Sequence, residues 1–218
     1  MHTITCHGEE LALLPQRALF WPRTATLLIA DTHFGKDATF RTAGIPLPIG
    51  GLHQDLARLE TVLAVTGAER LVILGDFFHA RPGRTTDTMD AVTAWRGRHN
   101  ALDVLLVRGN HDRYAGPSPD EWRIHDAGES LLLPPFLCCH APAEPGMPDE
   151  SYRLAGHLHP MISLRQRAAA QLRFPCFLFG RQQALLPAFA SFTGGYTITP
   201  GVGDRIFAIS PAGVHQVA

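Results

Sequence analysis

The chain of 218 residues has few of the features that mark membrane, secreted or DNA-coating proteins. No apolar run approaches the ~20 residues of a membrane span, so no membrane partner is expected. The opening stretch MHTITCHGEELALL carries no basic n-region and no clear cleavage site, so no signal peptide is expected. Cysteine is scarce. Cys6, Cys138, Cys139 and Cys176 lie in apolar segments, two of them adjacent and none in a CxxC. They read as reduced core thiols of a cytoplasmic protein, not as a disulfide framework. Positive charge is not in excess either. The net charge is −1, which argues against a tight non-specific DNA binder but leaves room for an enzyme that touches a few phosphates. Lys36 is the only lysine; the remaining basic side chains are arginines, which suit bidentate phosphate contacts. With no repeat, low-complexity run or linker, residues 1–218 are expected to form one domain.

Apolar residues make up 45% and charged residues 18%, an ordinary globular composition. Residues 3–14 alternate as a hairpin around Gly8. TLLIA at 26–30, LVIL at 71–74 and LLV within 102–107 read as buried strands. Between them, residues 37–50 read as a Gly/Pro-rich loop. Leu52, Leu56, Leu59 and Leu63 predict a helix over 51–66 that stops at Gly67. Met89, Val92 and Trp95 predict a second helix over 86–98. Ser118-Pro119-Asp120-Glu121 reads as a capping box opening a short helix. Strands follow at 136–139, 152–155, 176–179, 189–192, 196–199 and 206–210. The order β-α-β-α-β and then mostly β points to an α/β (α+β) protein, with layered β-sheets flanked by helices.

Histidine is the abundant chemistry-bearing residue, at 12. Half of these residues fall where strands end. Five ends carry polar groups directly after an apolar run: Asp31/His33, Asp76, Asn110/His111, His140 and His157/His159. Gly75-Asp76 alone also suits an ordinary turn. Five such ends are hard to explain by packing, because buried carboxylates and imidazoles are costly unless paired or metal-bound. Asp-x-His and His-x-His on extended chain would each place both side chains on one face. Carboxylate, imidazole and one amide, with no thiolate, favour Mn²⁺, Fe or Zn²⁺ over a structural Cys-type zinc site. Seven ligands can hold two ions if one carboxylate bridges them, and two-metal hydrolysis needs ions ~3.5–4 Å apart.

DTH, GD, GNHD, a lone His and GHLH, in that order from Asp31 to His159, resemble the calcineurin-like metallophosphoesterases. The resemblance implies a double β-sandwich with flanking helices and two divalent ions, Mn²⁺ foremost. It implies that Asp31, His33 and His159 hold one ion and Asn110, His140 and His157 the other, with Asp76 bridging. His111 would then protonate the leaving oxygen or stabilise the transition state. GDFFH places His79 where protein phosphatases of this superfamily carry Asp and where the DNA-repair nuclease SbcD and its relatives carry His. His79 is therefore expected to pair with His111 and to serve phosphodiester chemistry.

GKDATFRTAGIPLPIG, GHLHP, RFPCF and LPAFASFTGG extend the resemblance almost end to end, to the ligase-associated DNA damage response endonucleases, the PdeM family. Thr32 and Ala190 depart from that family's usual Leu and Gly. The resemblance implies an Mn²⁺-dependent endonuclease preferring single-stranded DNA. It would act in repair beside an ATP-dependent ligase, a helicase and a second nuclease. Lys36, Arg41, Arg81, Arg84 and Arg113 are candidate phosphate contacts, and Phe34, Phe40 and Phe77 candidate base-stacking residues. A small-molecule phosphodiesterase, acting for example on cyclic nucleotides, would use the same centre, and the near-neutral charge suits it.

Overall fold

The structure is a computed structural model that describes residues 1–144, 151–165 and 171–218. Among these residues the strands build two sheets. The first runs in chain order through β1 (His2–Cys6), β2 (Glu9–Leu14), β3 (Ala18–Trp21), β4 (Thr26–Ile29), β5 (Arg70–Leu74), β6 (Asp103–Val107) and β7 (Ile124–Asp126). Its first four strands form an antiparallel meander, and β4 to β7 are parallel. The second contains β8 (Ser130–Leu133), β9 (Phe136–Cys139), β10 (Tyr152–Ala155), β11 (Pro160–Arg165), β12 (Gln171–Phe179), β13 (Gln183–Leu185), β14 (Tyr196–Thr197), β15 (Arg205–Ser210) and β16 (Gly213–Gln216). In it β9, β10 and β13 are parallel neighbours.

The strand period of two sorts the side chains between two cores. Leu28, Val72 and Leu74 face the second sheet, packing with Phe136, Leu154, Phe177 and Phe207. Trp21 meets Phe136 edge-on at 5.1 Å across that interface. Their neighbours Leu27, Ile29, Leu71 and Ile73 face outward, under α2 (Gly51–Thr66) and α3 (Thr86–Arg98). The α2 leucine stripe is buried as its spacing predicts, and the Gly67 N–H closes the helix on the Leu63 carbonyl with φ +63°. Thr85 caps α3 by accepting the Thr88 N–H.

Three local expectations are corrected. Residues 37–42 are not loop but belong to α1 (Lys36–Thr42). An Asp37–Arg41 ion pair one turn apart at 3.0 Å supports it, and the helix-breaking glycines and prolines begin only at Gly44. Ser118 caps nothing: Pro119 precedes a single 3₁₀ turn, Asp120–Trp122. Burial of Trp122 sets that turn, its indole N–H donating to Thr93 and its carbonyl accepting from Arg96. Residues 189–192 form no strand. The bridge Ala30–Ala188 and the Phe189 and Ala190 N–H groups, donating to the Ala30 and Asp31 carbonyls, join this segment to the end of β4, and side chains hold the rest.

Parallel pairing decides where the site lies. The carboxyl ends of β4, β5 and β6 share one edge of the first sheet. Those of β9 and β10 share an edge of the second, where the His140 carbonyl accepts the Gly156 N–H. This is the edge at which α/β proteins hold ligands.

Candidate metal centre

Asp31, His33, Asp76, His157 and His159 do not continue their strands. Their φ values are 54°, 43°, 53°, 68° and 48°, so each side chain leaves a left-handed turn instead of an extended pleat. They are five of the nine non-glycine residues in that conformation among the described residues. Asp and His tolerate it better than most residues, yet it costs ~1–2 kcal/mol each. Such strain persists where surrounding contacts over-determine it, as at ligand clamps. Here the contacts are backbone bonds between motifs. The His33 N–H donates to the Asp76 carbonyl at 2.8 Å, and the Asp31 N–H to the Gly75 carbonyl at 3.2 Å. Buried Thr32 donates its hydroxyl to the Phe77 carbonyl at 2.9 Å, a bond that a leucine could not make.

The glycines of the motifs make room for ligands from other motifs. A Cβ on Gly75 would stand 2.3 Å from the His140 ring, and one on Gly109 would stand 2.2 Å from Asp76 Oδ1.

Two clusters of the predicted ligands result, each within 4.8 Å internally: Asp31, His33 and His159, and Asp76, His140 and His157; a third group among the described residues, His33, His79 and His111, adjoins the first. In the first, His33 Nε2 lies 3.3 Å from His159 Nε2, which is 3.6 Å from Asp31 Oδ1. In the second, His140 Nε2 lies 2.9 Å from Asn110 Oδ1, 3.0 Å from His157 Nδ1 and 3.5 Å from Asp76 Oδ2. Asp76 Oδ2 is also 3.9 Å from His33 Nε2, so it faces both clusters. Carbonyls set the tautomers, since they only accept. His140 Nδ1 donates to Leu74 at 2.9 Å and His159 Nδ1 to Gly194 at 3.0 Å, which turns both Nε2 lone pairs inward.

The lone pairs of His140 Nε2 and His159 Nε2 therefore face the oxygens of Asn110, Asp76 and Asp31. Asp31 Oδ1 is buried with no hydrogen-bond donor, although Oδ2 accepts the His157 N–H at 2.9 Å. Burial pushes the His33 and His157 imidazoles below their ordinary values, favouring the neutral form that ligates metal. Burial raises Asp76 despite nearby His140, so a cation beside it would offset a real cost. His159 is raised: burial opposes its charge, but Asp31 and the Gly194 carbonyl outweigh burial. An orphaned carboxylate oxygen among inward lone pairs fits bound divalent cations.

His111 stands beside the clusters. Its N–H donates to Asp76 Oδ1 at 2.9 Å, and its Nδ1 donates to the His79 carbonyl at 2.5 Å. The His79 and His111 rings stack at 4.8 Å, so the expected pairing runs through main chain and ring faces. The His79 side-chain nitrogen instead lies 3.4 Å from His33 Nδ1, and burial, with Lys36 and His111, lowers its pKa to about 4.

Other candidates divide. Lys36 is half-buried; burial lowers its pKa against the pull of Asp31 and Asp76. Arg81 is exposed. Arg41 is tied to Asp37, Arg113 to Glu129 at 2.6 Å, and Arg84 to the Ala115 carbonyl and the Phe78 face. Phe34 and Phe77 are core residues, 2% and 1% exposed, and cannot stack on bases. Phe40 packs against His79.

Sequence reasoning missed two supports. Asp112 accepts backbone N–H groups from Asp76, Phe77 and Gly109 at 2.8–2.9 Å, stapling two motifs together. Asp55 accepts from the Ser191 N–H, the Ser191 hydroxyl and Arg58, while Arg58 and Arg17 donate to carbonyls of residues 188–190. The available signal was a carboxylate at position 55, on the apolar stripe of α2.

A family model of calcineurin-like phosphoesterases matches residues 25–163, which contain every residue of both clusters. The chain belongs to the calcineurin-like phosphoesterase family. It is a metal-dependent phosphoester hydrolase. Among solved structures it is similar to the nuclease MPE of Pseudomonas putida, with 40% identity over 99% of each chain and a TM-score of 0.84. It also matches YfcE, a phosphoesterase from E. coli, at 15% identity over 88% of this chain and 98% of that one. The TM-score there is 0.45. No curated protein sequence matches the chain. No helix among the described residues is long and apolar enough to cross a membrane.

Proposed function

We propose that this phosphoesterase is a two-metal DNA endonuclease that prefers single strands and acts in repair, in functional association with a ligase, a helicase and a second nuclease. The observation that carries the reading is the 40% identity to a nuclease along 99% of both chains. Asp31, His33 and His159 would hold one cation and Asn110, His140 and His157 the other, with Asp76 shared; Mn²⁺ suits this O/N donor set. Such cations, when bound, act as Lewis acids toward phosphoryl oxygen and acidify water. The chain supplies position and proton. Asp76 Oδ1 and the His79 carbonyl fix His111 through its N–H and Nδ1, leaving Nε2 to hold a proton for the departing oxygen. His79, depressed to about 4, stays neutral at pH 7 and braces the His33 and His111 rings without adding charge. Beside Asn110, His140 and His157 runs a groove of about 460 Å³ that Arg108, Arg113 and Arg153 also line, a course for a strand's phosphates. Lys36, Arg41 and Arg81 would serve the phosphates on the other side.

The test is nicking of circular single-stranded DNA with Mn²⁺, beside turnover of a cyclic nucleotide. Nicking with little cyclic-nucleotide hydrolysis is expected. Brisk cyclic-nucleotide turnover without nicking would replace this reading with a small-molecule phosphodiesterase, the alternative that the net charge of −1 favours.

A further inference from the structure

With Phe34 and Phe77 in the core, the aromatic surface near the metal centre comes from elsewhere. Phe192 is 51% exposed and Tyr196 65% exposed. Both lie on the segment that wraps His159. Gly194, between them, accepts from His159 Nδ1, and the Tyr196 N–H donates to the Leu158 and His159 carbonyls at 3.3 and 3.2 Å. A Cβ on Gly195 would stand 2.5 Å from the His159 carbonyl, so the segment lies close against this residue. Phe192 lines a small hollow together with His33, Gly35 and Lys36.

The exposure of Phe192 is imposed by its neighbours. Ser191 is clamped through its N–H and hydroxyl to Asp55, Arg58 donates to the Ser191 hydroxyl, and Arg17 donates to the Ala190 carbonyl at 2.7 Å. A large aromatic side chain is thus presented to water on an anchored segment, beside the only lysine and His33. Scattered exposed apolar residues carry no message. An aromatic face coupled to a cation in one cleft is the arrangement by which proteins hold single strands, because every base has a π-face to stack.

We propose that Phe192, with Tyr196, is a stacking platform for unpaired bases next to the scissile phosphate, with Lys36 taking a neighbouring phosphate. The platform rests on the nuclease reading above and supplies its reason for preferring single strands: paired bases in a duplex do not offer their faces. The anchored segment also keeps the ordering cost of binding low.

The experiment compares kcat/KM, with Mn²⁺, on a short thymidine strand and on a strand of equal length whose sugars are abasic. Wild type is expected to favour the thymidine strand by about tenfold, within the usual range for base–aromatic stacking. Phe192→Ala should lose most of that preference, Phe192→Leu should not regain it, and Phe192→Trp should; Tyr196→Ala should show a smaller loss. A Phe192→Ala variant that loses activity equally on both strands has lost structure, and the platform is wrong. A wild-type enzyme that cuts both strands equally keeps the nuclease reading and overturns the platform. Hydrolysis of bis(p-nitrophenyl) phosphate with no cutting of either strand overturns both.

Discussion

The two ends of the parallel strands β4–β6 are built on opposite terms. At the amino end, Arg70 and Asp103 face each other in register across β5 and β6, 2.8 Å apart and each 38% exposed. Nearby, Arg98 pairs with Glu60 at 2.5 Å. Both pairs keep access to water. At the carboxyl end, Asp31, His33 and Asp76 are 0%, 3% and 2% exposed, three of the strand-end residues are left-handed, and one carboxylate oxygen has no donor. One sheet thus carries a relaxed end and a strained one. The strained end keeps its geometry because glycine clearances and the Asp112 staple hold the motifs against each other. The lesson concerns cost: polar groups left unpaired and desolvated are a liability for stability and an asset for a cation.

Substitutions at the two ends should differ in kind. The largest effect belongs to Asp76→Ala, which removes the oxygen facing both clusters. Activity should fall below detection and bound metal should drop at both positions, as read by elemental analysis. His111→Ala sharpens the contrast within that end. Metal content should hold while kcat falls by ~10²-fold or more, the loss typical of a missing general acid. Next comes Asp112→Ala, which leaves backbone N–H groups of Asp76, Phe77 and Gly109 without acceptors. Unsatisfied buried donors cost ~1–3 kcal/mol each, so a loss of a few kcal/mol is expected in urea unfolding of the metal-free protein. Smallest is Arg70→Ala at the amino end. A pair this exposed contributes less than ~1 kcal/mol, so the midpoint should barely move and hydrolysis should be unchanged. A large loss of activity there would break the division between the two ends.

Much of this was legible before folding. Apolar runs of four or five residues located β4, β5, β6, β9 and β10, and the polar residues after them supplied the donors that now cluster. The leucine stripe set α2, and Gly67 set its end. The route was less legible. Alternation on extended chain predicted that Asp31 and His33, or His157 and His159, would share a face; left-handed turns, which no pairwise spacing reveals, instead bring Asp31 and His33 into one cluster and send His157 and His159 to different ones. β3 was missed because ALFW is short and lies beside Pro22, and it forms by adding to the edge of a meander.

Local rules therefore account for the two long helices, most of the strands that carry ligands and the donor types, because periodicity and turn chemistry act over a few residues. Burial and neighbours from distant segments decided the rest. They put Phe34 and Phe77 in the core and Phe192 in water. They also made Asp112 a staple, and made Asp55, on a helix more than 130 residues away from Ser191, the anchor of the segment that holds His159. Those outcomes depend on which surfaces meet when two sheets and their helices pack, and no window of adjacent residues contains that information.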